Sequence, residues 1–239
     1  MKRLLSHGIA IGLGIVSGLV VAVGPLANTG PASAITTTCL NSNKFSCYAR
    51  GTFNDGSQWG GGYVQVQVAT ISSSSSSAYL NEEMWVSTNT GTSDWAEIGY
   101  SYNQPFCSGK ALHWFFYYKN PSTTHGACFG STPSVGTYHT LEVQENTSNT
   151  WYIYLDGSKI TIDTGTSSGW SRTVRTGLEY RDASYDHVSS KAYFSYNEVR
   201  NKTCCTWSYW NQGGSQATYP SLFSWTWTST NPWIHGYDT

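Results

Sequence analysis

An all-β fold, a two-sheet antiparallel β-sandwich of jelly-roll type, is the class this sequence predicts, and three observations carry the prediction. Beyond residue 34 no stretch spaces apolar residues at i, i+3, i+4 and i+7 over the length of a helix. Runs that alternate with a period of two recur instead, Tyr63-Val64-Gln65-Val66-Gln67-Val68 being the clearest. Turn-forming residues separate these runs at short intervals, the spacing of a sandwich or barrel. Parallel βαβ architecture is excluded because its crossover helices are missing. Propellers and solenoids are excluded because no segment repeats at a period of about 20–50 residues.

Taken in order, the chain opens with Lys2 and Arg3, an apolar run over 9–23 and the small-x-small sequence Ala32-Ser33-Ala34. This pattern reads as an export signal over 1–34, with the mature protein starting near Ile35. The run is broken by Gly and Pro and falls short of the roughly 20 residues a membrane-spanning helix needs. The remainder, 35–239, reads as one β-sandwich domain with a Trp-rich C-terminal segment from Asn201 onward. That length suffices for a sizeable core. Strands are predicted over 63–68, 80–87, 95–102, 111–118, 138–144, 151–155, 174–180, 191–198 and 222–227. Asp156-Gly157 predicts a tight hairpin after Leu155. Gly60-Gly61-Gly62 and the serine run over 72–77 read as loops.

Six cysteines follow the signal: Cys39, Cys47, Cys107, Cys128, Cys204 and Cys205. An exported chain meets an oxidising compartment, so disulfides are expected, and no C-x-x-C pair points to a metal. Cys107 is expected to join Cys128, because the loop between them bounds one strongly apolar strand. Cys39 and Cys47 would then meet Cys204 and Cys205. Only 11% of the chain is charged and its net charge is −1, with nothing basic to track a phosphate backbone. Nucleic acid is therefore not an expected partner. The expectation is a secreted, extracellular monomer without stable membrane association.

The chemistry-bearing motifs of several enzyme classes are missing. There is no Gly-x-Ser-x-Gly elbow, no phosphate loop and no His-Glu-x-x-His. His113, His125, His139, His187 and His235 match no metal-ligand spacing, so neither metal nor cofactor is expected. Carboxylates are scarce, and two lie inside predicted strands beside a same-face glycine. Alternation puts Trp95, Glu97 and Gly99 on one face, and Gly177 and Glu179 on another such face. Glycine within a strand often marks close approach of a ligand or a backbone. Either stretch alone also reads as a solvated strand face or a bulge.

The order of these motifs resembles the glutamic peptidases, the eqolisins and more distantly the neprosin-type enzymes. Met84-Trp85-Val86 and the polar turn after it resemble the eqolisin Trp-Val-Gly strand. Glu97-Ile98-Gly99 takes the place of the eqolisin Gln-x-Gly, and Trp114-Phe115-Phe116-Tyr117-Tyr118 that of the aromatic strand after it. Leu178-Glu179-Tyr180 falls where the catalytic glutamate lies. The resemblance implies a polypeptide substrate, with Glu179 as general base and Glu97 as acid or oxyanion donor. It also implies a substrate channel at Trp85, Trp95, Gly99 and Gly177. Glu97 replaces the eqolisin glutamine, and a Glu/Glu pair is similar to the neprosin arrangement. Arg181, two residues beyond Glu179, would share its face and favour its ionised form. A rival reading comes from Trp151-Tyr152-Ile153-Tyr154-Leu155-Asp156-Gly157, which resembles the late hairpin of concanavalin- and laminin-G-type jelly rolls. With 11 Trp and 17 Tyr as platforms, that reading implies a carbohydrate-binding or lectin-like module acting on polysaccharide, or a glycosidase carboxylate pair.

Overall fold

The computed structural model describes residues 47–73, 79–88, 94–120, 123–145, 150–164, 170–181, 187–189, 192–202, 206–210, 214–217 and 234–236. The export signal, Cys39, Cys204, Cys205, the strand predicted over 222–227 and most of the Trp-rich segment lie outside them. Every regular element among the described residues is a strand. In chain order these are β1 (Cys47–Phe53), β2 (Trp59–Gln67), β3 (Ile71–Ser73), β4 (Tyr79–Ser87), β5 (Trp95–Tyr102), β6 (Leu112–Lys119), β7 (Thr124–Phe129) and β8 (Tyr138–Glu145). They continue as β9 (Thr150–Leu155), β10 (Ser158–Thr164), β11 (Thr173–Arg181), β12 (His187–Ser189), β13 (Ala192–Asn201), β14 (Trp207–Tyr209), β15 (Gly214–Ala217) and β16 (Ile234–Gly236).

Two antiparallel sheets result. The first runs β15-β1-β11-β4-β5-β6-β7 and the second β10-β9-β8-β2-β13-β14, with β16 also on β13 and a separate β12-β3 pair. Their facing sides bury Met84, Ile98, Tyr100 and Leu178 from the first sheet against Val64, Leu141, Ile153 and Phe194 from the second. Alternation in β2 follows directly from its sequence: Val64 and Val66 point inward, while Tyr63, Gln65 and Gln67 are half-exposed. Between the layers Thr176 Oγ1 donates to Asn197 Oδ1 at 2.9 Å, so a polar pair inside the core is mutually satisfied.

Strand β4 is buried at every position, on both faces. One face meets the core. The other lies in the middle of its sheet, between β11 and β5, and is covered by neighbouring side chains. An outward-facing side chain at the centre of β4 is consequently desolvated without being part of the hydrophobic core.

The hairpin between β9 and β10 forms at Asp156-Gly157, both with positive φ (50° and 72°), as the tight-turn sequence requires. Two loop expectations are corrected. Gly60, Gly61 and Gly62 lie within β2, because they serve close packing and not a turn: a Cβ at Gly61 would stand 2.0 Å from the Val143 carbonyl oxygen, and its φ is +135°. The serine run begins inside β3, where Ser72 pairs with Val188 and Ser73 with His187; the serines over 74–77 lie outside the described residues.

Cys107 is bonded to Cys128, as expected from sequence. The bond ties the loop after β5 to β7 across 21 residues. That loop carries Phe106, which stacks on Tyr117 of β6 with ring centroids 5.9 Å apart. Closing a loop of this size restricts the unfolded chain by about 3 kcal/mol. Replacing both cysteines with serine is expected to lower the unfolding free energy by about that amount, measured by urea denaturation under non-reducing conditions.

Candidate functional site

The outer face of the first sheet gathers the chain's scarce carboxylates. Register sets their order. Glu83 on β4 stands opposite Gly99 on β5 and Gly177 on β11. Glu97 stands opposite Trp85 and Tyr117, and Glu179 opposite Asn81 and Tyr48. Carboxyl oxygens of Glu83, Glu97 and Glu179 all lie within 4.8 Å of one another. The two glycines make this possible. A Cβ at Gly99 would come 2.6 Å from the Cβ of Glu83 and 2.2 Å from the Glu82 carbonyl oxygen. Gly177 has φ +154°, a backbone conformation that side-chain-bearing residues rarely adopt.

The trio opens into a cleft of about 420 Å3. One wall is aromatic: Trp95 stacks on Tyr117 at 6.2 Å, and Phe106 stacks on the same tyrosine. The opposite wall is Tyr48 and Trp85, 6.0 Å apart, with the Arg50 guanidinium 4.5 Å from the Tyr48 ring centroid. Arg175 also lines the cleft.

Donors converge on the carboxylates. The hydroxyls of Tyr48 and Tyr79 each donate to Glu179 Oε1 at 3.3 Å. Asn81 Nδ2 donates to Glu83 Oε2 at 3.4 Å and is itself held by Gln104 Nε2 at the same distance. Glu83 also hydrogen-bonds Glu179. Burial pushes the Glu83 carboxyl well above the ordinary carboxylate range, and the charges of Glu97 and Glu179 push it further. Glu97 rises for the same two reasons, burial first and then Glu179, against a hydrogen bond from Trp95. The Tyr48 hydroxyl is raised by burial and then by Glu179 and Glu83, so it stays a donor. Burial lowers Arg50, while Tyr48, Glu179 and Glu83 favour its charge. Two carboxyls raised in this way, beside a third that hydrogen-bonds one of them, form a cluster able to share protons. Three clustered carboxylates would also suit a divalent cation, but a hard cation needs several more oxygen ligands. The groups found directed at the trio are hydroxyl and amide donors.

Of the residues singled out from sequence, Glu97 and Glu179 come together, and Trp85 and Trp95 line the cleft beside them. Gly99 and Gly177 flank Glu83 and do not themselves line the cleft. Arg181 extends β11 opposite Tyr79, and its side chain lies outside the described residues. Sequence reasoning missed Glu83, Tyr48, Tyr79, Arg50 and Arg175. Glu83 was within reach, because it shares the alternating face of Trp85. Its neighbour Glu82 disguised it, since two adjacent acids suggest a solvated edge. Glu82 instead points to the core, where the Tyr100 hydroxyl binds it.

No protein-family model and no curated protein matches the chain. Among solved structures it is similar to a Scytalido-glutamic peptidase with a peptide-based transition state analog. The TM-score is 0.58 at 14% identity, over 80% of this chain and 98% of that one. It is also similar to SCP-B, a member of the eqolisin family of peptidases in complex with the tripeptide Ala-Ile-His. There the TM-score is 0.56 at 13% identity, over the same shares. The fold is therefore that of the glutamic peptidases, as the sequence motifs suggested.

The raised carboxyls link stability to pH. Glu83 and Glu97 bind protons more tightly folded than unfolded, where such groups titrate near about 4.3. Their contribution is fully present below that pH and is lost as pH rises through the folded values. Glu145 of β8, raised to about 7 by burial, acts in the same direction. The thermal midpoint is expected to fall between about pH 4 and pH 7, a range that begins near the ordinary carboxylate value of about 4.3 and runs upward from it. Glu83→Gln, which mimics the protonated form, is expected to flatten the fall. Calorimetry on the unmutated protein and this variant measures both slopes.

Proposed function

We propose that this protein is a secreted acid peptidase that hydrolyses peptide bonds with Glu179 as general base and Glu97 as general acid. The observation that carries the reading is the carboxyl trio, within 4.8 Å, at the base of an aromatic-walled cleft. The export signal read in residues 1–34 supports secretion. The glutamic-peptidase fold supports a polypeptide substrate.

The chemistry follows from the protonation pattern. Glu179 accepts hydrogen bonds from two tyrosines, as a carboxylate does, and is placed to take a proton from water as its oxygen attacks the amide carbon. Glu97, held protonated by burial and by Glu179, donates to the oxygen on which negative charge develops. Collapse of the tetrahedral intermediate reforms the carbonyl, returns the proton to Glu97 and breaks the C–N bond. The proton gained by Glu179 passes to the leaving nitrogen, and the cluster returns to its starting charge. Glu83 acts as a positioning residue, holding Glu179 through its own proton.

Activity on an unfolded protein substrate is expected to follow a bell in pH. Its alkaline limb should lie above the ordinary carboxylate range of about 4.3, because burial holds Glu97 and Glu83 protonated further up the scale. Glu179→Gln is expected to abolish turnover, since an amide cannot accept the water's proton. Glu97→Gln should be milder, because it keeps a donor and restores the eqolisin residue. Pepstatin and a chelator should have no effect. Turnover that survives Glu179→Gln would remove this mechanism, and inhibition by the chelator would favour a metal on the trio.

A carbohydrate-binding reading has one observation of its own. On the outer face of the second sheet, Tyr63, Tyr196 and Trp207 surround a pocket of about 250 Å3 with Glu142 and Glu198. Retention on an insoluble glycan that Trp207→Ala abolishes, without any proteolysis, would shift the assignment to that pocket.

A further inference from the structure

The cleft is electrically lopsided. Its carboxylates cluster toward Glu83, and Arg50 faces two of them, Glu179 and Glu83. Arg175 has no such partner. On β11 it stands opposite Trp85 of β4, which stands opposite Glu97 of β5, so all three share one cross-strand row. Its guanidinium gives a hydrogen bond from Nη1 to Ser87 Oγ at 3.2 Å, and its Nε is buried without a hydrogen-bond partner. No ion pair joins Arg175 to a described carboxylate, and none of the neighbouring charges acting on it is a carboxylate. After burial, the like charge of Arg50 disfavours its charged form and Tyr48 favours it. Arg175 lines the cleft, and a half-buried guanidinium beside another cation, with one donor unpaired, is incomplete without an anion.

We infer that Arg175, with Arg50 beside it, forms a subsite for a carboxylate of the bound peptide, so that the cleft selects chains bearing an acidic group near the scissile bond. This deepens the peptidase reading and rests on it for the cleavage arm of the test alone. Guanidinium is the group suited to the task, because its planar fork presents parallel donors to both carboxylate oxygens. The reach is set by sheet geometry. Arg175 and Glu97 lie two strands apart, about 10 Å between Cα atoms, and an extended peptide advances about 3.3 Å per residue. The acidic group thus falls two or three residues from the bond cleaved. It is either a Glu or Asp side chain or the terminal carboxylate of a short peptide, and one chemistry serves both.

The test uses three matched octapeptides: one neutral with an amidated end, one with an internal Gln→Glu replacement and an amidated end, and one neutral with a free C-terminal carboxylate. Binding to the Glu179→Gln protein is measured by calorimetry near pH 5.5, where a glutamate of ordinary pKa, about 4.3, is ionised. Cleavage by the unmutated protein is measured as kcat/KM. One of the two acidic peptides is expected to bind about tenfold more tightly than the neutral one, the size of one charge-assisted hydrogen bond. Whichever it is identifies the carboxylate source. The ratio is expected to approach one after Arg175→Gln and to fall partway after Arg175→Lys, which keeps the charge and loses the fork. Equal affinity for all three peptides in the Glu179→Gln protein would overturn the inference. So would a preference that survives both arginine substitutions. The peptide comparison needs no arginine variant and decides the matter if those proteins fail to fold. Acid-selective binding without cleavage would reject the peptidase reading and keep the subsite; cleavage without selectivity would do the reverse.

Discussion

Three carboxyl groups within 4.8 Å of one another, on a sheet face shielded from water, cannot all be ionised. Most of the local architecture follows from that constraint. The charge is reduced by protonating Glu83 and Glu97, whose burial makes the neutral form the cheaper one. What charge is left on Glu179 is met by the hydroxyls of Tyr48 and Tyr79 and by the nearby Arg50. The backbone had to accommodate the same crowding. Glycine on both strands flanking Glu83 removes the side chains that would otherwise stand between the three carboxyls.

Tyr48, Arg50 and Tyr79 therefore belong to the electrostatics of the trio as much as to the cleft wall. Arg50 also lies against the rings of Tyr48 and Trp85, 4.5 and 5.8 Å from their centroids. A cation over two ring faces is held by their quadrupoles, so its position is fixed before any substrate arrives. The same positioning leaves Arg50 close enough to Arg175 to disfavour a second positive charge, and burial brings Arg175 down to about 10. It remains charged, at a part of the cleft where no described carboxylate faces it. Acid at one part and uncompensated cation at another give an extended chain a reason to bind in one direction.

The sheets were legible because their signal is local. Runs rich in strand-forming residues located β5 to the residue and β4 and β11 to within one residue at each end, and alternation did the same for β9. What escaped was β1 and β7 and the short strands; for β1 the reason is that its pairing is decided by a partner remote in sequence, β11, well over a hundred residues away. The three-glycine segment was misread for a related reason. Its glycines answer to the Val143 backbone on the neighbouring strand β8 and to Val174 across the sandwich, and no local pattern reports those contacts. At the site, same-face logic correctly linked Glu97 and Glu179 to glycines. It could not show that both glycines face one further residue, Glu83, on the strand between, because register is a property of three strands at once.

Glu83 also changes the meaning of Glu97 as a departure from the eqolisin pattern. A glutamine at the position of Glu97 would offer an amide donor with no proton to lose. A glutamate there adds an ionisable group to a cluster that already holds Glu83 and Glu179, so the site must bind one more proton to reach the same charge. Burial and the charge of Glu179 supply the conditions for that proton to stay on Glu97. In the proposed peptidase mechanism a buried glutamic acid would do what glutamine does, donating a hydrogen bond to a developing oxyanion, and would add a proton that can be transferred outright. The cost is a donor present only while the cluster keeps its protons, which ties this arrangement to acid conditions through Glu97 itself. The low charge of the rest of the chain, 11% of residues, is consistent with that setting, since few surface ion pairs would be lost on acidification.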